Sequence, residues 1–565
     1  MKLKLQINEV IKDAFAKAGI EQEPIPVSEA TRAEFGDYQF NGAMALAKVL
    51  NKNPRDIAAK IMNHLSFSSI LSKAEIAGSG FINLWINPSW LGENCQNALK
   101  DERLKVARRK ESQIVVVDYS GPNMAKQMHV GHIRSTIIGD ALANLLSFLG
   151  DKVIRQNHIG DWGTQFGMLV AYLEMKDEDG TLSLENLEQF YKDAKAEFDI
   201  NTYFAGIARE YVVKIQSGDE HCLKLWKKFI DISLSHCEEV YEKLNVNLKH
   251  TDVRAESFYN DDLPQVIVDL GKAGQLQESD GAKCVFTKGD ETPVIVQKGD
   301  GGYLYATTDL AALRYRVKVL GAQRIMYVVD ARQAGHFKQI FDVARDANFV
   351  TKDTILEHIG FGMMMNESGK PFKTRDGGTI KLVDLLNEAI EKAKTSIKNK
   401  DDYSKKEIES LAKVIGIAAV KYADLSTGRE SNYIFNLEKM LSFDGNTALY
   451  IQYAYARIQS IFKKHNAEVK GDIVIMGDLE HRLATMLLRF EDTLYYAADN
   501  ASPNYITNYL YELATLFMRF YEQNPILKEG VDEATKMSRL QLADLTAKTI
   551  KQGLDILGIQ LVNRL

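Results

Sequence analysis

A chain of 565 residues is longer than one hydrophobic core sustains, and ordinary domain sizes divide it into roughly three or four units. It is 45% hydrophobic and 26% charged, and 70 basic against 76 acidic side chains leave a net charge of −6. That balance excludes whole-molecule attraction to nucleic acid, so an RNA or DNA partner would be met by local patches.

The opening stretch MKLKLQINEVIKDAFAKAG has helical spacing, but it carries Glu9 and Asp13 and lacks the apolar core of a signal peptide. No later run is apolar enough to cross a membrane. Residues 1–108 add strand-like pieces such as KAEIAGSGFINLWI and predict a small α+β domain. It closes in the charged run KDERLKVARRKES, which reads as a solvated linker.

The pattern then changes. QIVVVDYS is a short apolar run bounded by GPN, and the helix-periodic HIRSTIIGDALANLLSFLG follows, ending on Gly150. DKVIRQNHIGDWG repeats the strand-then-glycine layout, and TQFGMLVAYLEMK is a second amphipathic helix. This rhythm predicts an α/β domain over 109–385, a doubly wound parallel sheet of Rossmann type. A helical insertion is expected at about 177–290, after which TPVIVQ, RIMYVVDA and TILEHIGFGMMM resume the strand signals. Beyond it the sequence is helix-periodic, with a connector over 386–445 and an all-helical domain over 446–565.

Four cysteines, Cys95, Cys222, Cys237 and Cys284, in so long a chain suggest a reducing, cytoplasmic setting without disulfides. His221-Cys222 and His236-Cys237 lie in helical sequence at no zinc-ligand spacing. Neither zinc nor a tightly bound cofactor is expected.

The stretch HVGH, His129 to His132, sits where the first strand of the α/β domain gives way to a helix. Such a turn directs backbone donors and the positive end of a helix at the carboxyl edge of the sheet, an anion site. Gly131 leaves room for a base or phosphate to approach the backbone. His129 and His132, three residues apart, share a face and suit a phosphoryl group gaining charge. The alternative is a pair of histidines that only cap the helix.

The longer blocks SGPNMAKQMHVGHIRSTIIGD and NHIGDWGTQFG resemble class I aminoacyl-tRNA synthetases of the arginine type, with HVGH in the place of that class's HIGH signature. FGDYQFNGAMALAK, YLYATTDLAALRYR, GKPFKTRDGGTIKL, ALYIQYAYAR and the terminal GLDILGIQLVNRL extend the resemblance from about residue 35 to the C-terminus. A small nucleotidyltransferase also carries an HxGH turn, but such enzymes are short and lack a helical tail. The resemblance implies arginine activation by Mg-ATP, taken up as a substrate complex, to arginyl-adenylate and pyrophosphate. Transfer to the 2′-OH of the terminal adenosine of tRNA(Arg) follows, and a monomer is expected.

The same resemblance assigns residues. His129, Gly131 and His132 would meet ATP, and Asn123 would hold the α-amino or carboxylate end of arginine. Asp118, Tyr305, Asp309 and Gln333 would form the arginine pocket, in keeping with the demand of a guanidinium for carboxylates. Asp118 and Asp309 are both expected at carboxyl ends of predicted strands. Tyr305 would share a face with Asp309 if that segment is helical, and Asp309 could instead be a helix N-cap. His158, Asp161, Trp162 and Gln165 line the same edge in the family, although a tight turn packed by Trp162 accounts for most of them.

The family's second signature, KMSKS, is matched only by KMSR, Lys536 to Arg539, expected in a polar loop of the tail and read as coincidence. Its positional equivalent is the basic loop 366–378, which offers Lys370, Lys373 and Arg375 to phosphates. The resemblance gives Lys126 the missing lysine's task. Tyr450, Gln452, Tyr453 and Arg457 would contact the anticodon, aromatic and basic groups being interleaved as single-strand stacking requires. Residues 1–108 would meet the tRNA elbow.

Overall fold

In the computed structural model, which describes residues 3–67, 69–176, 187–372, 380–397 and 400–565 (side chains of 33 and 188 excepted), the chain begins with helix Leu3–Lys17. Leu3, Ile7, Ile11 and Ala14 recur at helical spacing and are all buried. An antiparallel sheet follows, with strands β1 (Ser28–Glu29), β2 (Tyr38–Phe40), β3 (Leu71–Ala77) and β4 (Phe81–Ile86) in the order β1-β2-β4-β3. The charged run after this domain is anchored rather than free in solvent. Arg103 donates to Phe148 O at 2.5 Å, and Arg109 pairs with Asp151 at 3.2 Å and Asp499 at 3.0 Å.

The next strands are β5 (Ile114–Asp118) and β6 (Lys152–Gln156), joined through helix Ile133–Phe148. The insertion contains helices Leu187–Ile200, Thr202–Gln216, Glu220–Lys243 and Leu263–Lys272. It is not helical to its expected end. Strands β7 (Leu276–Ser279), β8 (Ala282–Val285) and β9 (Val294–Gln297) form a separate antiparallel sheet, and β9, the TPVIVQ segment, belongs to it rather than to the parallel sheet. Asp280 and Gly281 explain the hairpin, since both take positive φ (50° and 76°), as a two-residue turn matched to strand twist requires.

β10 (Arg324–Tyr327) and β11 (Ile355–His358) complete the parallel sheet, ordered β11-β10-β5-β6. Gln156, Asp118, Tyr327 and His358 stand in register across its carboxyl edge. In β5, Val115 and Val117 face one core and Val116 the other, the period-two pattern of a strand covered on both sides. The helix after HVGH is buried along nearly its whole length. Gly139 lets it lie on the end of β5, because a Cβ there would stand 2.3 Å from the Tyr119 side chain.

Helices Leu382–Ser396 and Lys405–Ser426 form the connector, beside the short parallel strands β12 (Met364–Met365) and β13 (Tyr433–Ile434). The C-terminal domain contains helices Ala448–His465, Asp478–Leu488, Phe490–Asp499, Asn504–Gln523 and Glu533–Ile556. KMSR lies in the first two turns of the last of these, not in a loop. All four cysteines are buried and unpaired. Among the described residues no helix is long and apolar enough to cross a membrane, and no three His, Cys, Asp or Glu side chains cluster as metal ligands.

Candidate active site

The turn after β5 uses its own histidines as hydrogen-bond acceptors. His129 Nδ1 accepts from Gly131 N at 3.0 Å, and His132 Nδ1 accepts from His129 N at 3.1 Å, a reciprocal capping box on the turn Val130–His132. A neutral imidazole that accepts at Nδ1 carries its proton on Nε2. His129 therefore keeps an Nε2–H available, while His132 Nδ1 lies between His129 N at 3.1 Å and His129 O at 3.2 Å, and the ring centroids are 4.0 Å apart. Burial holds the His132 imidazolium down to about 3, and burial followed by the Lys126 charge lowers His129, so both rings are neutral at neutral pH. Capping the turn is thus compatible with binding an anion.

Gly131 has a reason beyond ligand approach. A Cβ there would stand 2.7 Å from His129 Cε1 and 2.9 Å from Nδ1, displacing the ring. Gly131 itself is exposed, as are Asn123 and Lys126. Asn123 Oδ1 accepts from Ala125 N at 3.1 Å, and Lys126 Nζ lies 5.0 Å above the ring of Tyr191 from the insertion.

The acidic residues divide into two kinds. Asp118 ends β5 but is not free, since its Oδ2 accepts from Arg316 Nη2 at 2.6 Å, and Arg316 is fully buried. The charge of Asp118 is therefore balanced in part by an internal guanidinium. Asp309 is neither at a strand end nor an N-cap. It is the fifth residue of helix Tyr305–Lys318, so Tyr305 does share its face. Asp309 Oδ2 lies 2.7 Å from His336 Nε2, and the Tyr305 and His336 rings are 5.0 Å apart. Gln333, exposed, closes the 3₁₀ turn one helical turn ahead of His336.

Glu256 belongs to this group and carries no sequence motif. Burial, with the charges of Asp161 and Asp309 added, raises its carboxyl to about 7. Its backbone N donates to Ile159 O at 3.0 Å, but its carboxyl has no hydrogen-bond partner among the described residues, whereas Asp161 accepts from Ser257 N and Oγ. His158 and Trp162 are held by contacts of the fold. His158 Nδ1 contacts Arg254 O at 3.0 Å, and Trp162 packs edge-on against Trp226.

Of the basic loop, Lys370 is exposed, while Lys373 and Arg375 lie outside the described residues. Lys536 pairs with Glu533 at 2.5 Å and Arg539 with Glu480 at 2.9 Å, both within the helical domain. In that domain Tyr450, Tyr453 and Arg457 share one face. Arg457 donates to Tyr453 Oη at 3.0 Å, and Tyr450 and Tyr453 help line a cavity of about 370 Å³. Gln452 does not join them. It is fully buried and donates to Gln560 O at 2.8 Å, so it belongs to the core rather than to an RNA-facing surface.

A parallel sheet with an HxGH turn at its carboxyl edge, followed by a helical domain, defines the class I aminoacyl-tRNA synthetases. Residues 94–437 match the class I (R) catalytic domain of tRNA synthetases, 451–565 the DALR anticodon binding domain, and 1–86 the arginyl-tRNA synthetase N-terminal domain. The arginine–tRNA ligases of Alteromonas mediterranea and Chromobacterium violaceum are 51% and 52% identical, each covered over 98% of both chains. The arginyl-tRNA synthetase structure of Plasmodium falciparum is 30% identical, with a TM-score of 0.88 over 100% of both chains. The chain belongs to the arginyl-tRNA synthetase family.

Proposed function

We propose residue roles for the reaction of this family in the present chain. The chain activates L-arginine with ATP and charges tRNA(Arg). An oxygen of the arginine carboxylate attacks the α-phosphate of Mg-ATP, the bond to the bridging oxygen breaks, and pyrophosphate leaves. The 2′-OH of the terminal adenosine then attacks the anhydride carbonyl, forming the ester and releasing AMP. No group of the protein is covalently modified, so its contribution is positioning and charge stabilisation.

His129 and His132 donate from Nε2 to the α-phosphate region, and Gly131 leaves the approach open. Asp309 and Glu256 take the guanidinium, Tyr305 and Gln333 border it, and Asn123 holds the amino-acid end. Asp118 supports the pocket through Arg316. Lys126 and Lys370 neutralise the departing pyrophosphate, and the family resemblance gives Lys373 and Arg375 to the phosphates as well. Tyr450, Tyr453 and Arg457 receive the anticodon, and the N-terminal sheet meets the tRNA elbow. The protein acts as a cytoplasmic monomer with no resident metal.

One observation carries this reading: two imidazoles, each fixed through Nδ1, stand at the turn after β5, and the same domain brings Asp309 within charge reach of Glu256. ATP–pyrophosphate exchange with each amino acid, with and without tRNA, tests it. Exchange is expected with arginine and to require tRNA, whereas exchange with another amino acid alone would overturn it.

A further inference from the structure

The loop that carries Asn123 leaves β5 through two residues of positive φ, Ser120 (73°) and Gly121 (53°). A serine is strained in that region, and such a conformation persists only where the surroundings over-determine it. The groups that fix it come from two directions. From the parallel-sheet domain, Ser135 Oγ accepts from Ser120 N, Asn157 Oδ1 from Gly121 N and Gly160 O from Met124 N, each at 2.9 Å. From the insertion comes Tyr241, near the end of helix Glu220–Lys243. The bond from Gly121 N orients the Asn157 amide, and its Nδ2 donates to Tyr241 Oη at 3.0 Å. The same hydroxyl lies 2.8 Å from Ser120 Oγ, so having accepted from Asn157 it has its own proton for Ser120. Burial pushes the Tyr241 phenol far above its ordinary value, and that proton stays in place. Eight residues earlier on the helix, Ser233 Oγ contacts Met124 O as well as Phe229 O. Asn123 therefore stands between two points, Ser120 and Met124, that one helix of the insertion holds.

A phenylalanine would fill the same space without a buried hydroxyl to desolvate, so packing of the helix does not call for a tyrosine at 241. Without the hydroxyl, Ser120 Oγ and Asn157 Nδ2 each lose a partner where water does not reach, and the loop loses its tie to the insertion. We propose that Tyr241, assisted by Ser233, is a positioning residue that sets the 120–124 loop so that Asn123 meets the amino-acid end of arginine. This rests on the role given to Asn123 above.

The test is the arginine KM of the full chain in charging of saturating tRNA(Arg), with the KM for ATP and the concentration of active sites measured alongside. Tyr241→Phe deletes the hydroxyl and keeps the ring. It should raise the arginine KM about 5- to 50-fold, the effect of buried polar groups left unpaired at a contact that depends on position. The KM for ATP and the active-site concentration should stay within about twofold, since the ring still packs. Asn123→Ala should raise the arginine KM at least as much. Adding Tyr241→Phe to Asn123→Ala should then change it by no more than about twofold, because both act through one contact. Effects that multiply in the double variant overturn the proposal. So does an unchanged arginine KM in Tyr241→Phe, or a loss of active sites at unchanged KM, as a role in folding alone would give. Ser233→Ala, measured in the same two backgrounds, should shift the arginine KM in the same direction by less and keeps the test decisive if Tyr241→Phe fails to fold. An unchanged arginine KM in Asn123→Ala alone would overturn the role of Asn123, and the proposal with it.

Discussion

Arg316 Nη2 donates to Asp118 Oδ2 across 2.6 Å with the guanidinium fully buried, so the carboxylate that ends the central strand is bound from within the protein. Removing one partner of a buried ion pair leaves the other charge uncompensated, at a cost of about 3–5 kcal/mol. Asp118→Asn should therefore lower unfolding stability by about that amount in chemical denaturation. Unchanged stability with a large rise in the arginine KM would instead make Asp118 a direct substrate contact.

Glu256 supplies a pH signature. Its carboxyl, raised to about 7 by burial and by Asp161 and Asp309, is increasingly protonated as pH falls below that value, and only the ionised form pairs with a guanidinium. The arginine KM should rise about tenfold between about pH 8 and pH 6 and flatten above it. Glu256→Gln should raise KM at high pH and abolish the slope. Asp309→Asn should raise KM by roughly 10- to 100-fold with little change in the KM for ATP. A pH-independent arginine KM in the wild type would remove Glu256 from the pocket.

His132→Asn separates capping from chemistry. The asparagine oxygen can replace Nδ1 as acceptor for His129 N, but nothing replaces the Nε2–H. Stability should stay near wild type while adenylate formation slows about 100- to 1000-fold, the effect of losing one positioned donor. A rate within a few-fold of wild type would reduce the histidine to its cap.

The lysines divide by location. Lys126 is close enough to lower His129, whereas Lys536 is held by Glu533 in the last helix of the C-terminal domain. Single-turnover pyrophosphate release should slow about 10- to 1000-fold for Lys126→Ala and stay within about twofold for Lys536→Ala. The reverse order would place the phosphate lysine in the tail.

The features legible in the sequence were those written locally. IVVVD, a β-branched run bounded by Gly-Pro, reads as a buried strand because its neighbours in the chain specify it, and HVGH reads as a turn for the same reason. Asp280-Gly281 was an available hairpin signal, and it would have ended the helical insertion earlier. Helical spacing could also have separated Gln452 from Tyr450, Tyr453 and Arg457, which recur at i, i+3 and i+7 while it does not. The Arg316 partner of Asp118 was not legible, because it is 198 residues away and only the fold brings it there. Glu256 sits in no motif, and its character comes from burial beside two other acids. His336, three residues after Gln333, was within reach of the same spacing argument.

The chain activates arginine and hands it to tRNA(Arg). The most direct measurement is charging of total tRNA by the full chain with each radiolabelled amino acid in turn, with Mg-ATP present. Acid-precipitable label is expected with arginine alone and is lost on omission of ATP. Label from lysine or any other amino acid in place of arginine, or none from arginine, would contradict it.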